Sequence, residues 1–357
     1  MISLAIFLSG FGGALFLLLL LIPLAPKLHL IDHPGGRKEH HKVTPLVGGL
    51  AIALTFVTSL FFLMPTYLHG ILFATLLILA IGVVDDIHEI PPIPKFLAQA
   101  AACLIMVFLA DVMLNQVGDL FGTGAIGLWI FTIPMTVFAV IGVINAMNMA
   151  DGIDGHVSSI AFITFTAYAY VAYESALWDD YRLLVVLAGA VAGFHLLNAR
   201  WPWNKQARTF LGDTGSMLLG FLIGLFAIEL TTGNGATSNI KKTFPAICAL
   251  WVIVLPLCDC VSLMIRRKLA RRSMFVADRQ HLHHYLLNRG LTVGQASFVS
   301  AVLNTICALI GIVGWKLGIP EPVMFIAFIA LFAAYHTYML IAFRTMPQHS
   351  QMGANPP

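Results

Sequence analysis

Residues 70–86 read GILFATLLILAIGVVDD, an apolar run that ends in two adjacent aspartates. No charged side chain interrupts the run before Asp85. A helix needs roughly 20 mostly apolar residues to cross the bilayer core, and this run approaches that length with its flanks. The stretch therefore predicts a membrane helix whose end carries two carboxylates.

The composition of the whole chain agrees with that interpretation. Of its 357 residues, 59% are hydrophobic and 10% are charged, whereas about 25% of the residues of a soluble domain are charged. A water-soluble domain is therefore excluded, and a net charge of +3 gives no reason to expect a nucleic-acid partner. The segment Met1–Pro26 has no charged side chain and exceeds the core of a signal peptide, so we expect a retained first span.

Uncharged runs recur along the chain and predict an all-α bundle. We expect about 11 transmembrane helices within a single integral membrane domain over 1–345, followed by a short disordered cytoplasmic tail over 346–357. The predicted spans are 3–25, 46–64, 70–84, 96–111, 127–147, 158–173, 183–198, 214–232, 244–265, 297–315 and 322–343.

The distribution of lysine and arginine predicts how the bundle is oriented. When alternate loops are assigned to opposite sides, one side holds sixteen of the 20 lysines and arginines and the other holds four. Cytoplasmic loops carry the excess of these residues. We therefore expect the N-terminus outside and the C-terminus in the cytoplasm.

The polar clusters that could carry chemistry all fall on the predicted cytoplasmic side. Asp85 and Asp86 lie at the C-terminal end of a helix, where the helix dipole and their like charges both disfavour ionisation. A bound cation would relieve this repulsion. Two solvated acids at a helix end are the alternative.

A second cluster repeats every third residue, at Asn145, Asn148, Asp151 and Asp154. These side chains would line one face if the helix continues through them. Gly152 would allow a ligand to approach the backbone closely. An ordinary polar helix terminus is the alternative here.

Asp213 stands at the predicted start of a helix. Its carboxylate could simply be an N-cap. A helix N-terminus also attracts phosphate, and Mg²⁺ prefers one or two carboxylates together with phosphate oxygens. Asp213 is therefore a candidate Mg²⁺ ligand.

Three histidines, His281, His283 and His284, follow Arg279 in the longest cytoplasmic loop. No cysteine accompanies them, so a phosphate clamp fits better than a zinc site, with a solvated loop as the alternative. Asp259 lies inside a predicted span, where an acid usually has a partner or a function. We treat it as a secondary candidate.

Carboxylates and cations from distant loops that share one membrane face indicate phosphate chemistry with a divalent metal. A nucleotide-sugar transporter would more naturally place its charges near the bilayer midplane. A binding protein without catalytic activity is a further alternative, and the residues alone leave both open.

Taken together, the motifs resemble a known family over nearly the whole chain. They are Asp85-Asp86, Asn145-x-x-Asn148-x-x-Asp151-Gly152-x-Asp154-Gly155, Phe210-x-Gly212-Asp213-x-Gly215-Ser216 and Asp278-Arg279-Gln280-His281-x-His283-His284. This combination is similar to that of the polyprenyl-phosphate N-acetylhexosamine-1-phosphate transferases, which form glycosyltransferase family 4. Leu282 separates the histidines and Tyr285 follows them, which resembles the bacterial GlcNAc branch more than the phospho-MurNAc-pentapeptide translocases.

The resemblance implies a helical bundle in the bacterial inner membrane with a cleft facing the cytoplasm, often as a homodimer. It implies that UDP-GlcNAc and undecaprenyl phosphate give GlcNAc-diphosphate-undecaprenol and UMP, with Mg²⁺ or Mn²⁺ as cofactor. This would be the first membrane step of a surface polysaccharide such as O-antigen or common antigen. Another UDP-HexNAc or UDP-MurNAc-pentapeptide is the alternative donor.

The resemblance also implies roles for individual residues. Asp213 would be the main Mg²⁺ ligand, and Asp85 and Asp86 would position or deprotonate the lipid phosphate, with Asp86 also at the metal. We expect direct attack by the lipid phosphate, and a covalent phospho-aspartate is the competing route. The implied substrate-binding residues are Lys42, Lys95, Asn148, Asp151, Asp154, Asn198, Phe210, Arg279, His281, His283 and His284.

Overall fold

The computed structural model describes residues 2–33, 43–64, 68–232, 244–271 and 280–345. Within these ranges the chain is almost entirely helical, apart from one antiparallel pair of two-residue strands, β1 (Ile31–Asp32) and β2 (Thr44–Pro45). The helices are α1 (Ile2–Leu21), α2 (Gly48–Leu63), α3 (Leu68–His88), α4 (Pro92–Ala110), α5 (Thr132–Ala150), α6 (His156–Glu174), α7 (Trp178–Asn198), α8 (Gly212–Thr232), α9 (Ala246–Val252), α10 (Val254–Leu269), α11 (Leu282–Asn288), α12 (Val293–Leu317) and α13 (Glu321–Thr345).

The all-α polytopic fold is confirmed, because each predicted span falls on a helix, except that 244–265 falls on the two helices α9 and α10. Among the residues that the structure describes, eight helices are long and apolar enough to cross a membrane, namely α1, α3, α4, α5, α7, α8, α12 and α13. Helices α9 and α10 meet at a bend of 84° and count as a ninth if they form one span. Helix α2 has only 16 residues and α6 carries several serine, threonine and tyrosine side chains. The count of eleven crossings and their orientation therefore stay predictions.

Helix α8 lies at the centre of the bundle. Helices α2, α3, α5 and α6 pack around it, and 89% of its apolar segment is buried. A helix that is apolar on all sides is expected to be enclosed by others. The first turn of α8 is therefore held where several helix ends converge.

Glycines let the neighbouring helices approach this first turn closely. A Cβ atom on Gly49 of α2 would lie 2.2 Å from the backbone nitrogen of Gly215 in α8. A Cβ atom on Gly82 of α3 would lie 2.5 Å from Cα of Thr214. Small residues allow close packing of membrane helices, so these two glycines bring α2 and α3 against the start of α8.

The two ends of the bundle carry different polar contacts. At one end the C-terminus of α3 and the start of α4 meet the start of α8, through side chains described below. At the other end Lys316 near the end of α12 forms an ion pair with Glu174 at the end of α6. The backbone N–H of Asp119 there donates to Glu321 Oε2 at 3.0 Å. The predicted site residues that the structure describes belong to the first of these ends.

Candidate active site

A lysine from α4 joins an acid from α3 to an acid from α8. Lys95 forms an ion pair with the buried carboxylate of Asp85, and its Nζ also lies 3.6 Å from Asp213 Oδ2. The other oxygen of Asp85 accepts the backbone N–H of Ile90 at 2.7 Å. The two acids, which are far apart in the sequence, therefore share one cation.

Asp86 caps helix α8 from a different helix. Its carboxylate accepts the backbone N–H of Asp213 at 2.7 Å, the backbone N–H of Thr214 at 3.2 Å and the Thr214 hydroxyl at 2.6 Å. The first N–H groups of a helix have no partner within it, and the helix dipole favours a negative charge at that end. Gly212 has a φ of 74°, and a Cβ atom there would lie 2.5 Å from Asp86 Oδ2. Glycine is thus required for this contact.

These contacts explain how the two adjacent carboxylates of Asp85 and Asp86 are tolerated at the end of a helix. The repulsion between Asp85 and Asp86 is relieved because one carboxylate faces Lys95 and the other faces the positive end of α8. It also leaves Asp213 without a role as the cap of its own helix. The side chain of Asp213 is therefore available for another contact.

Asn148 of α5 holds Asp213 from the opposite side. Its Nδ2 donates to Asp213 Oδ1 at 2.5 Å and to Ser216 Oγ at 2.9 Å. The Asp213 side chain is nevertheless 40% exposed. A carboxylate that is fixed by its neighbours and open to solvent is well placed to meet a ligand.

Helix α5 ends at Ala150, so the expected continuous face of every third residue stops at Asn148. Asp151 and Asp154 lie in the turn that leads to α6 instead. The helix ends because Asp151 adopts a non-helical backbone, with φ −78° and ψ 70°. Gly155, at a φ of 79°, then turns the chain into α6. The expectation of one helical face is therefore wrong beyond Asn148.

Asp151 is exposed at this turn, although protein atoms surround its carboxylate closely. This crowding, together with the negative charges of Asp213, Asp86 and Asp154, raises the pKa of Asp151 to about 8. The effect of Asp213 and Asp86 on this pKa indicates that the turn lies near them. A cation bound beside Asp151 would offset the repulsion between its ionised carboxylate and the neighbouring acids.

Asp154 and Asn198 bind the same turn to the loop that precedes α8. Asp154 Oδ2 accepts Arg200 Nε at 2.8 Å. Asn198 Oδ1 accepts the backbone N–H of Gly155 at 2.8 Å, and its Nδ2 donates to the carbonyl of Thr209 at 3.0 Å. Asp154 also accepts the backbone N–H of Ala207 at 3.4 Å. Both side chains therefore hold the backbone of the turn and of the loop in place, and their contact with a uridine stays a prediction.

Phe210 belongs to a short segment that pairs with the chain before α2. Its backbone N–H donates to the carbonyl of Pro45 at 2.8 Å, and its carbonyl accepts the N–H of Gly48 at 3.0 Å. These bonds bring the segment that follows residue 42 to the start of α8. Lys42 itself and Arg279 lie outside the described residues.

The histidines lie against the Asp151 turn. His283 is buried, and neither of its ring nitrogens has a hydrogen-bond partner. Burial, and then the neighbouring His156, His284 and His281, hold the pKa of His283 well below its usual range. A Cβ atom on Gly152 would lie 2.2 Å from His283 Nε2. The ring of His283 is therefore neutral at ordinary pH. It is suited to contact a phosphate through a hydrogen bond rather than as a cation.

Comparisons with known proteins agree with this geometry. The family model described as glycosyl transferase family 4 matches residues 68–231, which run from α3 to α8. An undecaprenyl-phosphate alpha-N-acetylglucosaminyl 1-phosphate transferase of Haemophilus influenzae is 35% identical over 332 residues, which cover 91% of this chain and 90% of the relative. The proteins of that name from Pasteurella multocida and Escherichia coli (strain K12) are 33% and 30% identical, over 94% and 87% of this chain and over 92% and 84% of their own lengths.

The chain belongs to glycosyl transferase family 4.

The segment that matches the family 4 model contains the acidic part of the site. Asp85, Lys95, Asn148 and Asp213 all lie within it, where Lys95 contacts both acids and Asn148 contacts Asp213. His281, His283 and His284 lie beyond that segment. Contacts with α10 and α13 bring them to the same end of the bundle. Within the described ranges, no group of three or more His, Cys, Asp or Glu side chains converges as a metal cage would require.

Two residues of this family 4 chain have contacts that the sequence did not indicate. Arg266 is buried, and its Nη2 donates to the carbonyl of Gln280 at 2.7 Å. Thr214 binds Asp86. The position of Arg266 one helical turn after Ser262 is at most a weak signal that it faces inward, and Thr214 gave none.

Proposed function

We propose that this protein transfers N-acetylglucosamine 1-phosphate from UDP-GlcNAc to undecaprenyl phosphate and releases UMP. The observation that carries the proposal is the meeting of Asp85, Lys95 and Asp213 from three helices, with one acid exposed. The relatives that are named for this activity align with this chain over most of their own length. A site that combines exposed carboxylate and ammonium groups is suited to two phosphates and a divalent ion.

The residues present fit a hard divalent ion. Mg²⁺ takes oxygen ligands, usually one or two carboxylates together with substrate phosphates, and the exposed carboxylate of Asp213 meets that requirement. Asp86 is the weaker candidate, because its two oxygens already accept three hydrogen bonds. When bound, Mg²⁺ would supply positive charge against the diphosphate, and Mn²⁺ would serve in the same way.

Direct transfer agrees best with the contacts of the acid pair. An oxygen of the lipid phosphate would attack the phosphorus that carries the sugar, and the bond from that phosphorus to UMP would break. A phospho-aspartate would require Asp85 or Asp86 as nucleophile. Asp85 is buried between Lys95 and the N–H of Ile90, and Asp86 caps α8. These contacts favour direct attack and assign both acids to positioning.

The remaining predicted residues would bind the donor. Lys95 would neutralise a phosphate, because its ammonium is partly exposed beside Asp213. Asp151, Asp154, Asn198 and Phe210 would surround the uridine, partly through the backbone they hold. His281, His283 and His284 would contact the sugar and the diphosphate, together with Lys42 and Arg279.

The site would face the cytoplasm across the bacterial inner membrane. The supporting observation is that its end of the bundle carries the excess of lysine and arginine. The product would start a surface polysaccharide such as O-antigen or common antigen. UDP-GalNAc and UDP-MurNAc-pentapeptide are the alternative donors, and a nucleotide-sugar transporter is the alternative of another class.

The deciding experiment measures UMP release by the purified protein with UDP-GlcNAc, undecaprenyl phosphate and Mg²⁺. We expect release that depends on the lipid and stops when EDTA removes the metal. Parallel reactions with UDP-GalNAc and UDP-MurNAc-pentapeptide identify the sugar. Uptake of labelled UDP-GlcNAc into protein-containing liposomes without UMP release would refute the transferase and support the transporter.

A further inference from the structure

Asp259 of α10 is a buried acid that the proposed reaction does not yet use. Its carboxylate, 7% exposed, accepts three hydrogen bonds. Oδ2 accepts from His281 Nδ1 at 2.9 Å, while Oδ1 accepts the backbone N–H of Leu282 at 3.1 Å and the hydroxyl of Tyr335 at 2.7 Å. Three separate elements, α10, the start of α11 and α13, therefore meet at one side chain.

These contacts determine the protonation of one ring atom. An ionised carboxylate can only accept hydrogen bonds, so His281 Nδ1 must carry the proton that it donates. A buried carboxylate that accepts from Nδ1–H fixes both the tautomer and the orientation of an imidazole. Nε2 is then the ring nitrogen that remains for a ligand.

The same carboxylate also fixes the backbone that carries the ring. Because it accepts from the side chain of His281 and from the N–H of Leu282, one carboxylate holds both the ring and the backbone next to it. Ring position is further restricted by His283, whose ring lies parallel at 5.3 Å between centroids. Tyr335 ties the carboxylate in turn to α13.

We infer that Asp259 is a positioning residue for phosphoryl transfer, which holds His281 with Nδ1 protonated so that the unprotonated Nε2 accepts a hydrogen bond from a hydroxyl group of the substrate's sugar. The engagement of substrate rests on the proposed function, whereas the tautomer does not. Asp259 itself touches no substrate in this arrangement. It acts through His281 alone.

The substitution Asp259→Asn tests the inference with little change in volume. The N–H of Leu282 cannot accept a hydrogen bond, so the amide oxygen of the new side chain should stay on Leu282 and Tyr335. Its Nδ2 then faces His281 Nδ1, which must become an acceptor. The substitution should therefore move the proton of the neutral ring from Nδ1 to Nε2.

The spectroscopic test is ¹⁵N NMR of histidine-labelled protein, with the His281 signals assigned from a His281→Ala sample. We expect Nδ1 to be protonated in the wild type and to become the unprotonated nitrogen of Asp259→Asn at alkaline pH. Tyr335→Phe should keep the wild-type signature, because it leaves the contact with His281 in place. An unchanged tautomer in Asp259→Asn would overturn the inference.

The kinetic test is a double-mutant cycle on UMP release. We expect Asp259→Asn to lower kcat by about 100-fold and to add no further loss in a His281→Ala background. Tyr338→Phe is the matched control, since Tyr338 lies on α13 but bonds to Tyr285 at 2.5 Å. Multiplicative losses in the double variant would overturn the inference. A wild type that releases no UMP would instead refute the proposed function and leave the NMR test intact.

Discussion

Asp213 combines exposure with fixed geometry, so its replacement should remove activity and leave the fold. We expect Asp213→Asn to lower the rate of UMP release by about 100-fold or more, because the charge that would face the proposed metal and phosphates is lost. Thermal unfolding in detergent checks that the variant folds. Asp179→Asn is the matched control, since Asp179 pairs with Arg182 at 3.6 Å near the start of α7. Full activity in Asp213→Asn would remove this residue from the metal site.

Lys95 supports the fold as well as the chemistry. In Lys95→Met the carboxylate of Asp85, whose side chain is 1% exposed, would lose its cation. Removing one partner of a buried ion pair destabilises a protein by about 3 kcal/mol. We expect a lower melting temperature for Lys95→Met and recovery in the double variant with Asp85→Asn. A double variant as unstable as the single one would show that the pair does not stabilise the fold.

Asp151 should make the ligand-free protein less stable as the pH rises. Its pKa is about 8 in the folded protein against an ordinary value of 3.8, so the folded state binds the proton more tightly than the unfolded state. Stability is therefore fully present below pH 3.8 and is lost as the pH rises through about 8. We expect Asp151→Asn to melt at a higher temperature than the wild type above pH 8, with the difference shrinking in acid. A difference that grows in acid would contradict this.

At the residue scale, the sequence identified which groups matter but not which of them contact each other. The family resemblance implies a place for Asp86 at the metal, yet its hydrogen bonds go to the first turn of α8. That contact depends on how α3 and α8 pack. Neither local pattern nor residue type encodes it.

At the scale of elements, the close contact between α2 and α8 should tolerate no side chain. Gly49→Ala would force a methyl group to within 2.2 Å of the Gly215 nitrogen, and overpacking typically costs about 1–3 kcal/mol. We expect a lower melting temperature and reduced activity. Gly142→Ala in α5 is the control, because a Cβ atom there meets nothing within 4 Å. Equal melting temperatures for both variants would contradict the tight packing.

The helices themselves were predictable because charge-free apolar runs leave few alternatives in a membrane protein. Their ends were less predictable. Helix α5 stops at Ala150, whereas the spacing of Asn145, Asn148, Asp151 and Asp154 favoured continuation. The glycines of the following turn were visible in the sequence, but the non-helical backbone of Asp151 accompanies tertiary contacts of that turn, such as the bond from the Gly155 N–H to Asn198.

At the scale of the whole molecule, the predicted orientation can be tested by labelling. Single cysteines would replace Lys205 at the site end and Asp119 at the opposite end, in a background without native cysteines. A membrane-impermeant maleimide applied to spheroplasts should label the cysteine at 119 and reach that at 205 only after permeabilisation. The reverse pattern would invert the orientation that the lysine and arginine distribution predicts.

The cap that Asp86 places on α8 links two segments separated by 127 residues, and this has a consequence for biosynthesis. When α3 has been inserted into the membrane, α8 has not yet been synthesised. Asp86 therefore lacks its helix partner at that stage. The centre of catalysis can then be completed only after α8 has been delivered, late in synthesis. In a truncated nascent chain that ends before α8, Asp86 should therefore stay uncapped, although Asp85 can already pair with Lys95. We expect quality-control proteases to degrade such a chain.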